Sequence, residues 1–332
     1  MAPTTTSSSS SPLFPLCHVG PWRSPPNDLY DQKINNKSAI HSGDASASLF
    51  GPTLGGPPIH GTTHHTQFAP LLFRHFTLEA FMSTGCLSTV FHIPVTHKQP
   101  VRCALCEPAS RDHNNNAVTL YMENLKGDKV LTGTATVGRL DPIQRDASAV
   151  RQLLAKSMRK NYARSPSSII KVNVGDTSPR ETVALPFTKK LGNLFPYTYE
   201  EKLSRLTEPH EFYKREEGKA SPFKRPIIPL EAYNILMTMT LDKAKWSSTQ
   251  NANLADERAI AWFGACEVRA INGPIHPEEN YTLSREIVHI GSTKKAESVW
   301  LETKLMQHAV VVADMLLQIH FLKPPQSSSS KL

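Results

Sequence analysis

Residues 56–91 read GPPIHGTTHHTQFAPLLFRHFTLEAFMSTGCLSTVF. Wound at about 3.6 residues per turn, Phe68, Leu71, Leu72, His75, Phe76 and Leu78 fall on one broad face, so the spacing predicts a helix over Gly61–Met82. Short runs rich in β-branched and apolar residues follow at Leu87–Val95, Val101–Cys106, Ala117–Glu123 and Val130–Val137. Pro94–Pro100, Ser110–Asn116 and Lys126-Gly127-Asp128 separate them, each carrying residues that favour turns. One helix followed by an antiparallel meander is the plan of the first half.

The second half repeats it. Pro226 to Pro229 precede a helix over Leu230–Leu241, in which Leu230, Tyr233, Leu236 and Met237 recur at helical spacing. Strands are expected at Ala259–Ile271, Tyr281–Ile290, Glu297–Thr303 and Val310–Phe321, with turns at Asn272-Gly273-Pro274 and Gly291-Ser292. Asp146–Tyr162, with Val150, Leu153, Leu154 and Met158 spaced for a helix, reads as a connector. The expected architecture is α+β: two long helices, each wrapped by a curved antiparallel sheet, packed so that each unit covers the other's sheet edge. The expected organisation is an arm over 1–26, a first unit over 27–140, a connector over 141–165, a second unit over 166–323 and a tail over 324–332.

Composition bounds the function. The chain has 332 residues, 37 Lys and Arg against 29 Asp and Glu, a formal charge of +8, and 39% hydrophobic residues. No apolar run approaches the roughly 18 to 20 residues of a membrane span; the longest, Ala309–Leu317, already contains Asp314. The cations are scattered rather than gathered into a stripe with interleaved aromatics, so no nucleic-acid partner is expected. Five cysteines, an odd number without a regular framework, suit a reducing compartment. Cys103 and Cys106 lie in a strand-like run and read as buried, inert thiols. His60 and His64 are four apart, but neither a carboxylate nor a cysteine lies near enough in sequence to complete a metal set, so no metal and no cofactor is expected.

The ends differ. Residues 1–26 are rich in Ser, Thr and Pro, with no cationic segment followed by an apolar one, which argues against a secretory leader. After Pro324-Pro325 the chain closes on Ser330-Lys331-Leu332, the peroxisomal address, on an extended run that an import receptor could read. The expected location is the peroxisome.

The two-helix plan resembles a double hotdog fold, and more specifically the MaoC-like hydratases and dehydratases of acyl thioesters. Asn36-Lys37-Ser38-Ala39-Ile40-His41, followed by Asp44 and Ala47, resembles the Asp/Asn-x-Asn/His-x-x-His loop entering the hotdog helix. Gly56-Pro57-Pro58-Ile59-His60-Gly61 is similar to the Pro-Ile-x-His-Gly turn that opens that helix, and Tyr281 to Lys323 resembles the closing strands of a hotdog unit. The sequence departs from the pattern at Asn36, where the hydratases have aspartate, and at Ser38, where Asn or His is usual. Residues 166–224 match no part of it.

The resemblance implies an enzyme that adds water to a 2-enoyl thioester or removes it from a 3-hydroxyacyl one, on acyl-CoA-type substrates. Such chemistry needs a base for water, an acid for the neighbouring carbon, and donors for the enolate on the thioester oxygen. His41 suits the proton transfer. Gly61, with the backbone N–H groups at the helix start, suits the enolate, and His60 and Ser38 would line the substrate. Asn36 could orient His41 or the water but is no carboxylate base; Asp28, Asp31 and Asp44 remain open as substitutes. A second reading is an acyl-CoA thioesterase using Glu231, in the first turn of the second helix, as base or nucleophile. A third is a non-catalytic acyl-binding or partner-binding protein. Assembly as a homodimer is left open, and the overall look suits a fungal protein of secondary metabolism.

Overall fold

The computed structural model describes residues 16–28, 58–107, 117–138, 147–160, 169–191, 197–249, 253–256 and 259–323. Among these residues ten strands form one antiparallel sheet: β1 (Cys17–Val19), β2 (Gly85–Phe91), β3 (Val101–Cys106), β4 (Ala117–Asn124), β5 (Lys129–Val137), β6 (Glu181–Ala184), β7 (Ala261–Ala270), β8 (Asn280–Ser292), β9 (Ala296–Gln307) and β10 (Val310–Leu322). Their order is β1-β3-β4-β5-β2-β7-β10-β9-β8-β6. The two halves therefore join at β2 and β7, where Cys86 faces Arg269 and Val90 faces Ala265. The eight strands expected from periodicity are all present.

The helices are α1 (His64–Gln67), α2 (Ala69–Phe76), α3 (Leu78–Thr84), α4 (Ala149–Arg159), α5 (Tyr199–Leu203) and α6 (Leu230–Thr238). Helix α6 has nine residues, too few to be stable alone in water. It forms because Leu230 to Met237 are all buried, as expected of a helix wrapped by sheet on all sides. Phe68, Leu72, Leu236 and Met237 lie fully inside one core that runs through both units, while Phe76 packs against its margin.

The first helix differs from expectation. Instead of one rod over Gly61–Met82, a 3-10 turn (Gly61–Thr63) leads into α1, α2 and α3, with the main break at Thr77. Thr77 takes φ 68°, a left-handed conformation that is costly for a β-branched residue. It recovers part of that by capping α3, its hydroxyl accepting from the Ala80 N–H at 3.3 Å.

Two edge strands escaped the periodicity reading. Residues 16–26, read as part of an arm, lie instead along the sheet: β1 pairs with β3, and Arg23 bridges to Val101. Cys17 and Cys106 face each other in that pairing and form a disulfide, which corrects the reading of Cys106 as a free thiol. Cys103 is a buried thiol, as are Cys86 and Cys266. At the other edge β6 pairs with β8.

Helix α4 covers the sheet's outer face across the β2–β7 junction. Val150 packs there with Ala265, Trp300 and Leu316. The polar side chains between α4 and the sheet are satisfied in a chain: Arg151 Nε donates to Glu267 at 2.8 Å, Ser148 donates to Glu267 as well, and Arg269 pairs with Asp314. Each buried charge thus has an opposite one, without which burial would be prohibitive.

Candidate functional site

The Pro58–Gly61 turn sits where sequence reading placed it, at the entrance to the first helix. Ile59 donates to the Val95 carbonyl at 2.8 Å, and Asn27 Nδ2 donates to the Pro58 carbonyl at 3.1 Å, so the turn is held from both sides. His60 is half-buried, its ring centroid 6.1 Å from that of Phe263. Gly61 follows, and a Cβ there would stand 2.9 Å from Phe91 Cε1. Only glycine lets the helix start this close to the ring. The His60 side chain does not cap the helix, whose first N–H groups carry the positive end of the backbone dipole.

Just inside the turn the first helix meets α6. Thr62 Oγ1 donates to Asn234 Oδ1 at 3.3 Å, and the Glu231 N–H donates to Thr66 Oγ1 at 3.1 Å. The pairing 62 with 234 and 66 with 231 means that the two helix starts lie antiparallel, side by side.

His64 and His65, on the same stretch, are both buried. His64 Nδ1 lies 3.3 Å from Gln67 Oε1, and His65 Nε2 lies 2.8 Å from Thr89 Oγ1. Burial lowers the His64 pKa to about 4, against the Gln67 contact. It lowers that of His65 to about 3, with His64 adding to the effect. Both rings are neutral at physiological pH and hydrogen-bonded within the protein.

Glu231 occupies the first turn of α6 and is 3% exposed. Its Oε1 lies 2.9 Å from Lys202 Nζ, which also donates to Asp28 Oδ2 at 2.8 Å. Arg205 Nε donates to Asp28 Oδ1 at 3.2 Å. Burial raises the Glu231 carboxyl pKa, while Lys202 pulls it back. Burial works against the Lys202 ammonium too, yet Glu231 and Asp28 together hold its pKa above the ordinary value. One cation on α5 thereby ties the start of α6 to Asp28, a residue of the first unit. Asp28, one of the three open substitutes for a catalytic carboxylate, is taken up in this cluster.

The structure therefore brings His60 and Gly61 to one helix entrance and places Glu231 in a charge cluster. Asn36, Ser38, His41, Asp31, Asp44 and the tail Ser330-Lys331-Leu332 lie outside the described residues. Thr62, Thr66, Asn234 and Lys202 join the two units, and sequence reading missed all four. None has a local signal, since each is an ordinary polar residue until its distant partner is known.

No protein-family model matches the chain, and no curated protein sequence does. Solved structures do. A MaoC-domain protein from Chloroflexus aurantiacus, assigned as a dehydratase, superposes with a TM-score of 0.57 at 12% identity, over 97% of this chain and 100% of that one. A conserved protein of Mycobacterium tuberculosis, essential for bacterial survival during infection and described as having a double hotdog fold, superposes with a TM-score of 0.52 at 11% identity, over 92% and 94%. Coverage of nearly the whole of both chains, together with the two wrapped helices and the single curved sheet, gives this protein a MaoC-like double hotdog fold.

Proposed function

We propose that the protein is a hydratase or dehydratase of acyl-CoA-type thioesters, adding water to a 2-enoyl thioester or removing it from the 3-hydroxyacyl form. The observation that carries this reading is the Pro58–Gly61 turn at the mouth of the first helix. Gly61 is packed so closely on Phe91 that no side chain fits, and the helix start is not capped by His60. In the hydration direction, His41 takes a proton from water and the oxygen bonds to C3. The electron pair of the C2–C3 double bond moves towards the thioester carbonyl, and the resulting enolate is stabilised by backbone N–H groups at the helix start. A proton then returns to C2, so one water is consumed and nothing is oxidised or reduced. Asn36 orients His41 or the water.

Glu231 is already engaged with Lys202, which favours this reading over hydrolysis of the thioester by Glu231. The test is the loss of conjugated-thioester absorbance on adding crotonyl-CoA or a longer enoyl-CoA to the purified protein. His41→Ala is expected to lower turnover by about two to four orders of magnitude, and Asn36→Asp to raise it. No turnover in either the native chain or Asn36→Asp would replace the enzyme reading with acyl binding alone. The same proposal includes a peroxisomal location, supported by Ser330-Lys331-Leu332. A fluorescent fusion lacking these three residues should stay in the cytosol, and punctate signal that survives the deletion would refute it.

A further inference from the structure

Lys156, Arg159 and Lys160 stand far along the chain from Lys294, Lys295 and Lys323, but the fold gathers all six at one end of the sheet. Helix α4 crosses the sheet's outer face, from Thr134 and Ser88 at its start to β8 at its end. There the Ser157 hydroxyl lies 3.0 Å from His289 Nε2, and a Cβ on Gly291 would stand 3.3 Å from the same hydroxyl oxygen. The last turn of α4, with Lys156, Arg159 and Lys160, therefore rests beside Gly291. Three residues beyond Gly291, at most about 11 Å of extended chain, Lys294 begins the tip of the β8–β9 hairpin, and Lys295 follows. Lys323, after β10, is joined to that tip. Its N–H donates to the Lys295 carbonyl at 3.0 Å, and its ammonium donates to the Ser292 hydroxyl at 2.9 Å.

The charge there is nearly all of one sign. Lys156, Arg159, Lys160, Lys294 and Lys295 are exposed, and none forms an ion pair among the described residues. Glu297, the carboxylate between them, is buried. It accepts from the Ile169 and Ile170 N–H groups at 3.0 and 3.2 Å and lies 3.7 Å from Lys323. Asp256, beside Ile169, is paired with Lys171 at 3.6 Å. Further along β8 and β9, Glu286 faces Glu302, which is paired with Lys304 at 3.3 Å. Six cations and one carboxylate, Glu297, leave a local formal charge of +5, where the whole chain carries +8. Lys156 and Arg159 also complement the negative end of the α4 dipole, which accounts for two of the six and for none on the hairpin. Such a concentration of uncompensated charge draws anions to this end of the molecule.

The neighbours of these cations select among anionic partners. Ser157, Met158 and Thr293 stand between them, with no aromatic ring interleaved on which nucleotide bases could stack. Met158, between Lys156 and Arg159, is 55% exposed. An exposed unbranched apolar side chain among long cationic ones suits a lipid interface, where the apolar group enters the acyl boundary and the ammonium groups stay among the headgroups.

We propose that the end of α4 and the β8–β9 hairpin form a docking surface for an anionic lipid bilayer, through Lys156, Lys160, Lys294 and Lys295, with Met158 entering the headgroup layer. The proposal stands apart from the acyl-thioester reading, since binding is measured without turnover. The full chain is sedimented with vesicles of phosphatidylcholine alone and of phosphatidylcholine with a quarter of phosphatidylserine, at low and at physiological salt. The same is done with Lys156→Glu/Lys160→Glu/Lys294→Glu/Lys295→Glu and with Lys156→Gln/Lys160→Gln/Lys294→Gln/Lys295→Gln. A control of equal net charge, Lys126→Glu/Lys189→Glu/Lys243→Glu/Lys245→Glu, reverses four lysines exposed elsewhere. Melting temperatures show that each variant is folded, and the Gln set keeps the test valid if acidic residues weaken the last turn of α4. A DNA duplex and polyglutamate are titrated in parallel.

The native chain should bind the anionic vesicles and not the neutral ones, more weakly as salt rises. A basic side chain at an anionic surface is worth about fivefold in partitioning, so the Gln set should lose at least tenfold and the Glu set at least a hundredfold, with a much smaller loss in the control. Equal losses in the Glu set and the control would mean that net charge alone acts, and would overturn the proposal. So would no binding to the anionic vesicles, or binding that ignores salt. Tighter binding to the duplex or to polyglutamate, dependent on the same four lysines, would assign the surface to a nucleic acid or an acidic protein instead.

Discussion

The Thr62 hydroxyl donates to the Asn234 side-chain oxygen across 3.3 Å in the interior, and through this bond the start of the first hotdog helix touches the middle of α6. The Asn234 amide in turn points its nitrogen at Met315 Sδ, 3.3 Å away, so its orientation is set from the sheet side as well. Polar contacts between otherwise apolar helices define register, because a slip leaves each partner buried and unsatisfied. The arrangement ties the entrance of one unit to the body of the other.

Lys202 should be among the most sensitive positions in the chain. Replacing it with Met leaves Asp28 with Arg205 alone and Glu231 without a cation, both carboxylates being buried. Breaking such a cluster costs about 3–5 kcal/mol, measured as a loss in unfolding free energy in urea. Adding Glu231→Gln to Lys202→Met should restore part of it, since the orphaned charge is gone. A loss below ~1 kcal/mol would show that water reaches the cluster and that it does not hold the two units together.

The buried histidines make stability depend on acidity. The ordinary imidazole value is 6.5 in the unfolded chain, against about 4 for His64 and about 3 for His65 in the folded one. Below pH 6.5 the unfolded state therefore binds protons that the folded state refuses. Stability is fully present above that value and falls as pH drops towards the folded values, by about 3 kcal/mol for His64 alone. Unfolding free energies measured across this range should show the slope, and His65→Gln should reduce it. An identical slope in that variant would mean that His65 is protonated without unfolding.

Gly61→Ala would push a methyl group to 2.9 Å from the Phe91 ring. Overpacking of this kind costs about 1–3 kcal/mol unless the ring swings away. The double variant Gly61→Ala/Phe91→Ala should be more stable than the sum of the two single losses predicts, because one change makes room for the other. Strict additivity in thermal unfolding would show that Phe91 does not confine the helix entrance.

The Cys17–Cys106 disulfide predicts a thiol count. Denatured without reductant, the protein should take up alkylating reagent at three cysteines, and after reduction at all five. Cys17→Ser should raise the unreduced count to four and loosen β1 from β3, seen as faster amide exchange at Gly20, whose N–H donates to the Cys103 carbonyl. Five reactive thiols before reduction would mean that the pair does not form.

Much of this fold is legible in the residues themselves. Helix α6 and the strands β2 to β5 and β7 to β10 follow from local spacing of apolar side chains, because each records which face of a short segment is buried, whereas the turn at Pro58–Gly61 is legible only through its family resemblance. The break at Thr77, the edge strands β1 and β6, the Cys17–Cys106 bond and the hold of Lys202 on both units exist only in three dimensions. β6 has four residues and β1 three, too short to show a period. Lys202 and Asp28 stand 174 positions apart. Periodicity reports on neighbours along the chain, whereas a buried charge or an edge pairing is decided by whichever distant segment the folded core brings against it.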